Sequence, residues 1–173
     1  EKKGTGLMVY LSDVTDFELL RQKYDNEKLC LAYVRFDNYE DVMKGMSETT
    51  RANISGEVNE VLSKWAEEEN GFISRSNKEL CLIGFNQAVL RDLMEQKFPV
   101  LDSVREIHVG NKITPTVSIG IACEGDNLEE LSQNAVKALD LALGRGGDQV
   151  VVAVDGGTQF FGGTTTVTAK STR

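Results

Sequence analysis

The sequence predicts an α+β domain: a mixed β-sheet of the ferredoxin-like type with helices packed on it. Three observations carry this. Apolar runs of strand length alternate with stretches whose apolar residues recur every three to four positions. Two pairs of strand-like runs are joined by turn residues, so hairpins interrupt what would otherwise be a parallel alternation. The 173 residues, 40% hydrophobic and 27% charged, are enough for one domain with a real core.

The elements follow in order. Residues 7–12 read as a short strand. Asp13 or Thr15 can cap a helix that runs to about residue 27, with Phe17, Leu20 and Tyr24 spaced by three and four. Residues 28–37 are rich in Leu, Ala, Tyr, Val and Phe and read as a buried strand. A short helix begins at Asn38-Tyr39. A longer one is expected over 51–69, with Ile54, Val58, Val61, Leu62 and Trp65 as its apolar stripe and Glu67-Glu68-Glu69 as its solvated end. Asn70-Gly71 marks a turn. Residues 72–75 and 80–85 then form a hairpin around Ser76-Asn77-Lys78-Glu79.

A helix over 87–97 is stopped by Pro99. Residues 103–109 and 113–122 are expected to make a second hairpin around Gly110-Asn111. Leu128, Leu131, Ala135, Ala138, Leu139 and Ala142 mark a final amphipathic helix, ended by Gly144-Arg145-Gly146-Gly147. Residues 149–154 are a last core strand. Asp155-Gly156-Gly157 then turns into the apolar pair Phe160-Phe161, and a Gly/Thr-rich tail follows.

Composition excludes several functions. The formal net charge of −8 argues against a sequence-independent nucleic-acid binder, which needs a basic surface. No run approaches the ~20 apolar residues needed to span a bilayer. Cys30, Cys81 and Cys123 are odd in number and lie in apolar stretches, so buried thiols in a reduced compartment are expected. No C-x-x-C or H-x-x-x-H spacing supports structural zinc. His108 is the only histidine and is expected to be structural or exposed. The opening Glu1-Lys2-Lys3-Gly4, with neither Met nor signal peptide, reads as the start of a piece of a longer protein.

Three segments resemble the GGDEF family of diguanylate-cyclase domains over about residues 28–154, which makes the expected fold nucleotide-cyclase-like. Arg35-Phe36-Asp37-Asn38-Tyr39 stands where that family has D-x-D-x-F. Ser76-Asn77-Lys78-Glu79-Leu80 stands where it has G-G-D/E-E-F. Val117-Ser118-Ile119-Gly120-Ile121-Ala122 matches its S-I-G strand. In a working cyclase the first Asp of D-x-D-x-F and the third residue of G-G-D/E-E-F hold divalent metal over a triphosphate. Here they are Arg35 and Lys78, so the resemblance implies a degenerate site, with no catalytic and no metal-binding residue. The remaining positions are vestigial: Asp37, Tyr39, Ser76, Asn77, Glu79 and Leu80. The family's guanine-reading positions fall on Met43 and Ala52, its phosphate-binding Lys falls on Ala142, and its product-inhibition motif would occupy Glu67-Glu68-Glu69-Asn70.

One subgroup matches better. The string Gly144-Arg145-Gly146-Gly147-Asp148-Gln149-Val150 and residues 7–27 resemble the membrane-anchored cyclic-di-AMP phosphodiesterases of Gram-positive bacteria, built as PAS, degenerate GGDEF and DHH/DHHA1 phosphoesterase modules. The resemblance implies that residues 1–27 are the end of a PAS domain plus a signalling helix. It makes 28–154 the degenerate GGDEF domain, and 155–173 a turn, a short strand and a linker toward a DHH module. It implies the cytoplasmic part of a plasma-membrane protein that is a homodimer in its full length, with the PAS and DHH modules as partners in the same chain and no nucleic acid. Metal ions, manganese foremost, belong to the DHH module and not to this segment.

Arg35 and Lys78 carry two readings. They can grip the phosphates of ATP or another small nucleotide directly, or pair with Asp37, Glu79 or Asp41 at the surface. Correspondingly, three functions stand side by side: a regulatory module that binds nucleotide weakly, a residual weak ATPase using Asp37 or Glu79, and a ligand-free dimerisation or spacer module.

Overall fold

The computed structural model describes residues 10, 12–110 and 113–162. Helix α1 (Thr15–Glu27) leads into strand β1 (Leu29–Phe36), followed by α2 (Tyr39–Met43) and α3 (Glu48–Glu68). The hairpin β2 (Phe72–Arg75) and β3 (Leu80–Asn86) comes next, then α4 (Gln87–Glu95) and α5 (Val100–Arg105). Strand β4 (Val117–Ala122), helix α6 (Leu128–Gly144), and strands β5 (Val150–Val154) and β6 (Gly157–Phe161) complete the chain. The six strands form one sheet in the order β2-β3-β1-β4-β5-β6, parallel only between β4 and β5. This is the mixed sheet expected, with β1 at its centre between two antiparallel neighbours.

Strand periodicity sorts side chains between two layers. On one face Cys30, Ala32, Val34 and Phe36 join Ile83, Ile119, Ile121 and Val152 in the main core, under α3, α4 and α5. On the other, Leu31 and Ala122 meet Leu131 and Ala135 of α6, while Ala138 and Ala142 rest on Val151. The S-I-G strand lies where α6 comes closest. A Cβ on Gly120 would stand 2.0 Å from the Leu139 nitrogen and 2.4 Å from the Ala135 carbonyl oxygen, so only glycine lets the helix settle there.

Three helices start on side-chain caps, while α1, expected to be capped by Asp13 or Thr15, has Val14 at its N-cap and no side-chain cap there. The Ser47 hydroxyl accepts the Thr50 N–H, so α3 starts at Glu48, one turn before residue 51, where apolar periodicity alone puts its start. Asn86 and Asn127 cap α4 and α6 in the same way. Helix α4 ends at Glu95, and Lys97 and Phe98 adopt positive φ before Pro99. Helix α1 has no buried residue, and Phe17, Leu20 and Tyr24 are all exposed.

Two expectations fail here. The hairpin over 103–109 and 113–122 does not form. Residues 100–105 are the helix α5, and within 113–122 only Val117–Ala122 is strand. Proline fixes φ at the helix start, and Val100, Leu101 and Val104 then fall on one buried face at helical spacing. β-Branched composition points to a strand, and burial overrides it. Gly110 has φ +74°, while Asn111 lies outside the described residues.

The second failure concerns the thiols. Cys30 and Cys123 are not two free thiols but a disulfide, with Cα atoms 4.2 Å apart, and only Cys81 is free. Leu31 faces Ala122 in the antiparallel β1–β4 ladder, and one step further the register brings Cys30 opposite Cys123. Burial pushes the Cys81 thiol up to about 11. His108 is exposed, and its Nδ1 donates to the Glu106 carbonyl oxygen at 3.0 Å. The strand expected over 7–12 falls mostly outside the described residues, and so does the tail beyond Gly162. Among the described residues no helix is long and apolar enough to cross a membrane.

Candidate functional site

Strand β1 delivers the first motif. Its odd-numbered residues face α6, so Tyr33 and Arg35 emerge on that side. The β2–β3 hairpin delivers the second. Its tip is closed by Asn77, whose Oδ1 accepts the N–H groups of Glu79 (2.8 Å) and Leu80 (2.9 Å). The tip is fastened to the end of β1 by the Phe36 N–H, which donates to the Glu79 carbonyl oxygen at 2.8 Å. The two motifs, about forty residues apart in sequence, therefore meet at one end of the sheet.

Clefts open on both sides of this tip. One, of about 520 Å³, lies against α6 and holds Arg35, Asn77, Lys78, Glu79 and Asp140. The other, of about 560 Å³, lies against α2 and α3 and holds Tyr39, Glu48, Arg51, Ala52, Ser55 and Lys78. Lys78 lines both. Arg35 forms an exposed ion pair with Glu79, Nη2 to Oε2 at 3.7 Å. Lys78 has no ion-pair partner among the described residues. Of the two readings at this pair, Arg35 takes the surface pairing and Lys78 stays open. Arg51 is a third cation beside the tip, which motif matching alone does not flag; its Nε donates to the Met46 carbonyl oxygen at 3.2 Å.

Asp37 and Glu79 are the motif carboxylates retained; Glu79 lines the cleft against α6, whereas Asp37 is turned away from both clefts. Its Oδ2 accepts the Asp148 N–H at 2.9 Å, and Gly147 passes so close that a Cβ there would stand 2.8 Å from the same oxygen. Burial holds the Asp37 carboxyl above its usual range, against the opposing pull of the Asp148 amide and the neighbouring Ser118 hydroxyl. Asp37 Oδ1 and Ser118 Oγ are buried without a complete hydrogen bond.

Behind Asp37 stands a side chain that sequence reading missed. The Arg105 guanidinium spans the Asp148 carboxylate (2.9 and 3.1 Å), Asp102 (2.6 Å) and the carbonyl oxygens of Asp148 (3.2 Å) and Gly162 (3.0 Å). It thus knots α5, the α6–β5 loop and the end of β6. The knot grips the Gly146-Gly147-Asp148 string at Asp148, and all three of these residues have positive φ. The helical spacing of Asp102 and Arg105 was the only local signal.

The other vestigial positions are spread out. Met43 is buried in the core, Ala142 is buried on the sheet-facing side of α6 against Val151, and Ala52 lines the cleft beside α3. Ser76 and Leu80 close the hairpin backbone, and Tyr39 packs edge-on against Phe36. Where the resemblance puts two metal-holding carboxylates there are two cations, and Asp37 is committed to a backbone amide. These residues do not fit a divalent metal pair. Among the described residues no three His, Cys, Asp or Glu side chains are grouped to hold a metal ion.

A mixed sheet with this strand order, its hairpin tip set against the end of the central strand, defines a GGDEF-type domain. Solved structures agree on the fold. A diguanylate cyclase/phosphodiesterase from Caldicellulosiruptor saccharolyticus superposes with a TM-score of 0.64 at 16% identity, covering 83% of this chain and 87% of that one. The GGDEF domain of DgcB from Caulobacter crescentus gives 0.61 at 19% identity, over 79% and 86%. The chain belongs to the GGDEF-domain family of GdpP-like cyclic-di-AMP phosphodiesterases, whose model matches residues 34–160. Among curated relatives it is 38% identical over 167 residues to the cyclic-di-AMP phosphodiesterase GdpP of Bacillus subtilis (strain 168). It is 36% identical over the same length to PdeA of Listeria monocytogenes. In both cases the match takes in 96% of this chain but spans only 25% of the relative's length.

Proposed function

We propose that this domain is a regulatory GGDEF module without cyclase activity, part of a protein of the cyclic-di-AMP phosphodiesterase type, and that it holds the phosphates of a nucleotide weakly at the hairpin tip. The observation that carries this is Lys78, unpaired among the described residues and shared by two clefts, with Arg35 and Arg51 flanking it. Ammonium and guanidinium groups bind phosphate oxygens directly and do not need a bridging metal. The Arg35–Glu79 pair must open to admit a phosphate, and all these groups face solvent, so affinity is low and falls with salt. The family match supports a parent with PAS and DHH modules, membrane anchoring, dimerisation and phosphodiesterase chemistry outside this segment. These belong to the same proposal.

The test is calorimetric titration with ATP and GTP, with and without magnesium, alongside a cyclic-dinucleotide synthesis assay. Binding that saturates in the range of about 0.1–1 mM, needs no magnesium, and is lost in Lys78→Glu is the expected result, with no cyclic dinucleotide formed. No binding up to 10 mM, roughly ten times that range, would leave a ligand-free spacer. Steady ATP hydrolysis abolished by Glu79→Gln would replace the reading with a residual ATPase.

A further inference from the structure

Helix α1 leads into β1 through Lys28, and its last turn also meets α4, where the Arg91 guanidinium donates to the Asn26 side-chain oxygen. The β1–β4 backbone ladder runs only from Phe36↔Val117 to Leu31↔Ala122. Beyond it, toward α1, the two strands are joined by side chains alone. These are the Cys30–Cys123 bond and the Lys28 Nζ–Glu124 Oε2 ion pair at 2.8 Å. On the opposite side of β1 the ladder to β3 continues through Cys30↔Phe85 and Leu29↔Asn86, and the Gln87 N–H donates to the Lys28 carbonyl oxygen. The disulfide is therefore the one covalent tie on the β4 side of this root, and without it only the half-exposed Lys28–Glu124 ion pair remains there. Cys30 is fully buried and Cys123 nearly so, whereas Cys81 has no thiol within reach for a bond.

We infer that Cys30 and Cys123 are a reversible dithiol–disulfide pair, a redox latch that fixes or frees the root of α1. This goes beyond the nucleotide reading and does not depend on it. In oxidation by a hydroperoxide, ROOH, the Cys123 thiol, the more exposed of the two, attacks the peroxide oxygen. The O–O bond breaks, ROH leaves, and Cys123 becomes a sulfenic acid. The Cys30 sulfur then attacks the Cys123 sulfur, the S–S bond forms, and the thiol proton leaves with the hydroxyl as water. Two thiols are oxidised by two electrons and one peroxide is reduced. The reverse step consumes two equivalents of a small thiol, which ends as its own disulfide.

The experiment uses the wild-type chain, treated with hydrogen peroxide or with excess dithiothreitol, then unfolded and alkylated. Intact mass is expected to show one alkyl group after peroxide, on Cys81, and three after dithiothreitol. In parallel, hydrogen exchange at the amides of residues 26–31 and 123–127 is expected to quicken about tenfold on reduction, and Tm to fall by about 10 °C. Amides of β4 and β5 away from the pair should change less. The double variant Cys30→Ser/Cys123→Ser is expected to behave as the reduced form in both redox conditions. Three alkylated thiols after peroxide would overturn the inference, since no bond then forms. One alkylated thiol after native-state dithiothreitol would also overturn it, since the bond is then permanent. So would exchange rates that do not differ between the two states.

Discussion

Replacing Arg105 by Ala is expected to destabilise the domain by about 3 kcal/mol. The side chain is only 15% exposed, and its partners Asp102 and Asp148 are 17% and 29% exposed. Truncation takes the guanidinium away from two largely buried carboxylates and two carbonyl oxygens. Removing one member of a buried ion pair costs ~3–5 kcal/mol, and water reaching Asp148 holds the loss to the lower end. For a chain of this size that is a fall in Tm of about 6–12 °C. Arg105→Lys keeps the charge but cannot fork between Asp148 and Asp102, so it should recover about half of the loss. Burial already keeps the Asp148 carboxyl above its ordinary range in spite of Arg105, and without the guanidinium it rises further. The deficit of Arg105→Ala should therefore shrink as pH falls from 7 to 4 and the carboxylates take up protons. Urea unfolding followed by far-UV circular dichroism measures this at each pH. An Arg105→Ala variant within about 1 kcal/mol of wild type at pH 7 would refute the knot as a source of stability. A deficit that grows toward pH 4 would refute its electrostatic origin.

Other expectations follow from the same region. Burial raises the Asp37 carboxyl, so the folded state holds a proton that the unfolded state has released. The stability this group contributes is present below the ordinary carboxylate value of 3.8 and is lost as pH rises through the raised one. Asp37→Asn keeps an acceptor for the Asp148 N–H and removes the charge; it should be more stable than wild type at pH 7 and equal at pH 4. A less stable Asp37→Asn at pH 7 would count against that account. Asp37→Ala loses the acceptor and should cost about 1–3 kcal/mol, read by the same unfolding curves. Gly147→Ala meets both a φ of +75° and the Asp37 carboxylate at 2.8 Å. It should lose about 1–2 kcal/mol by calorimetry, and unchanged stability would contradict the close approach. Gly120→Ala pushes a methyl group into the α6 backbone and should cost 3 kcal/mol or more, about the upper end of overpacking. A soluble Gly120→Ala protein with native Tm would show that α6 can step away.

Local chemistry made most of the architecture legible. The helices α3, α4 and α6 are written in apolar periodicity and the β2–β3 hairpin in its turn residues, whereas the Ser47 cap that sets the start of α3 went unread. The charge reversals at Arg35 and Lys78 were also visible, because they stand in motifs whose spacing is local. Helix α5 was not legible, since Val100, Leu101 and Val104 suit a strand as well as a helix, and only the core they fill decides between them.

The sequence by itself determined the class of fold, the family and the two motif cations, Arg35 on β1 and Lys78 at the hairpin tip. Tertiary structure decided what the neighbouring residues are for. Asp37 meets Asp148 across 111 residues, Arg105 meets Asp148 across 43, and Cys30 meets Cys123 across 93. No propensity or periodicity records such meetings, because they are set by strand register and by where α6 lands on the sheet. Through them a motif carboxylate became a backbone anchor, a glycine-rich string became one side of an ion-pair knot, and two separate thiols became a bond.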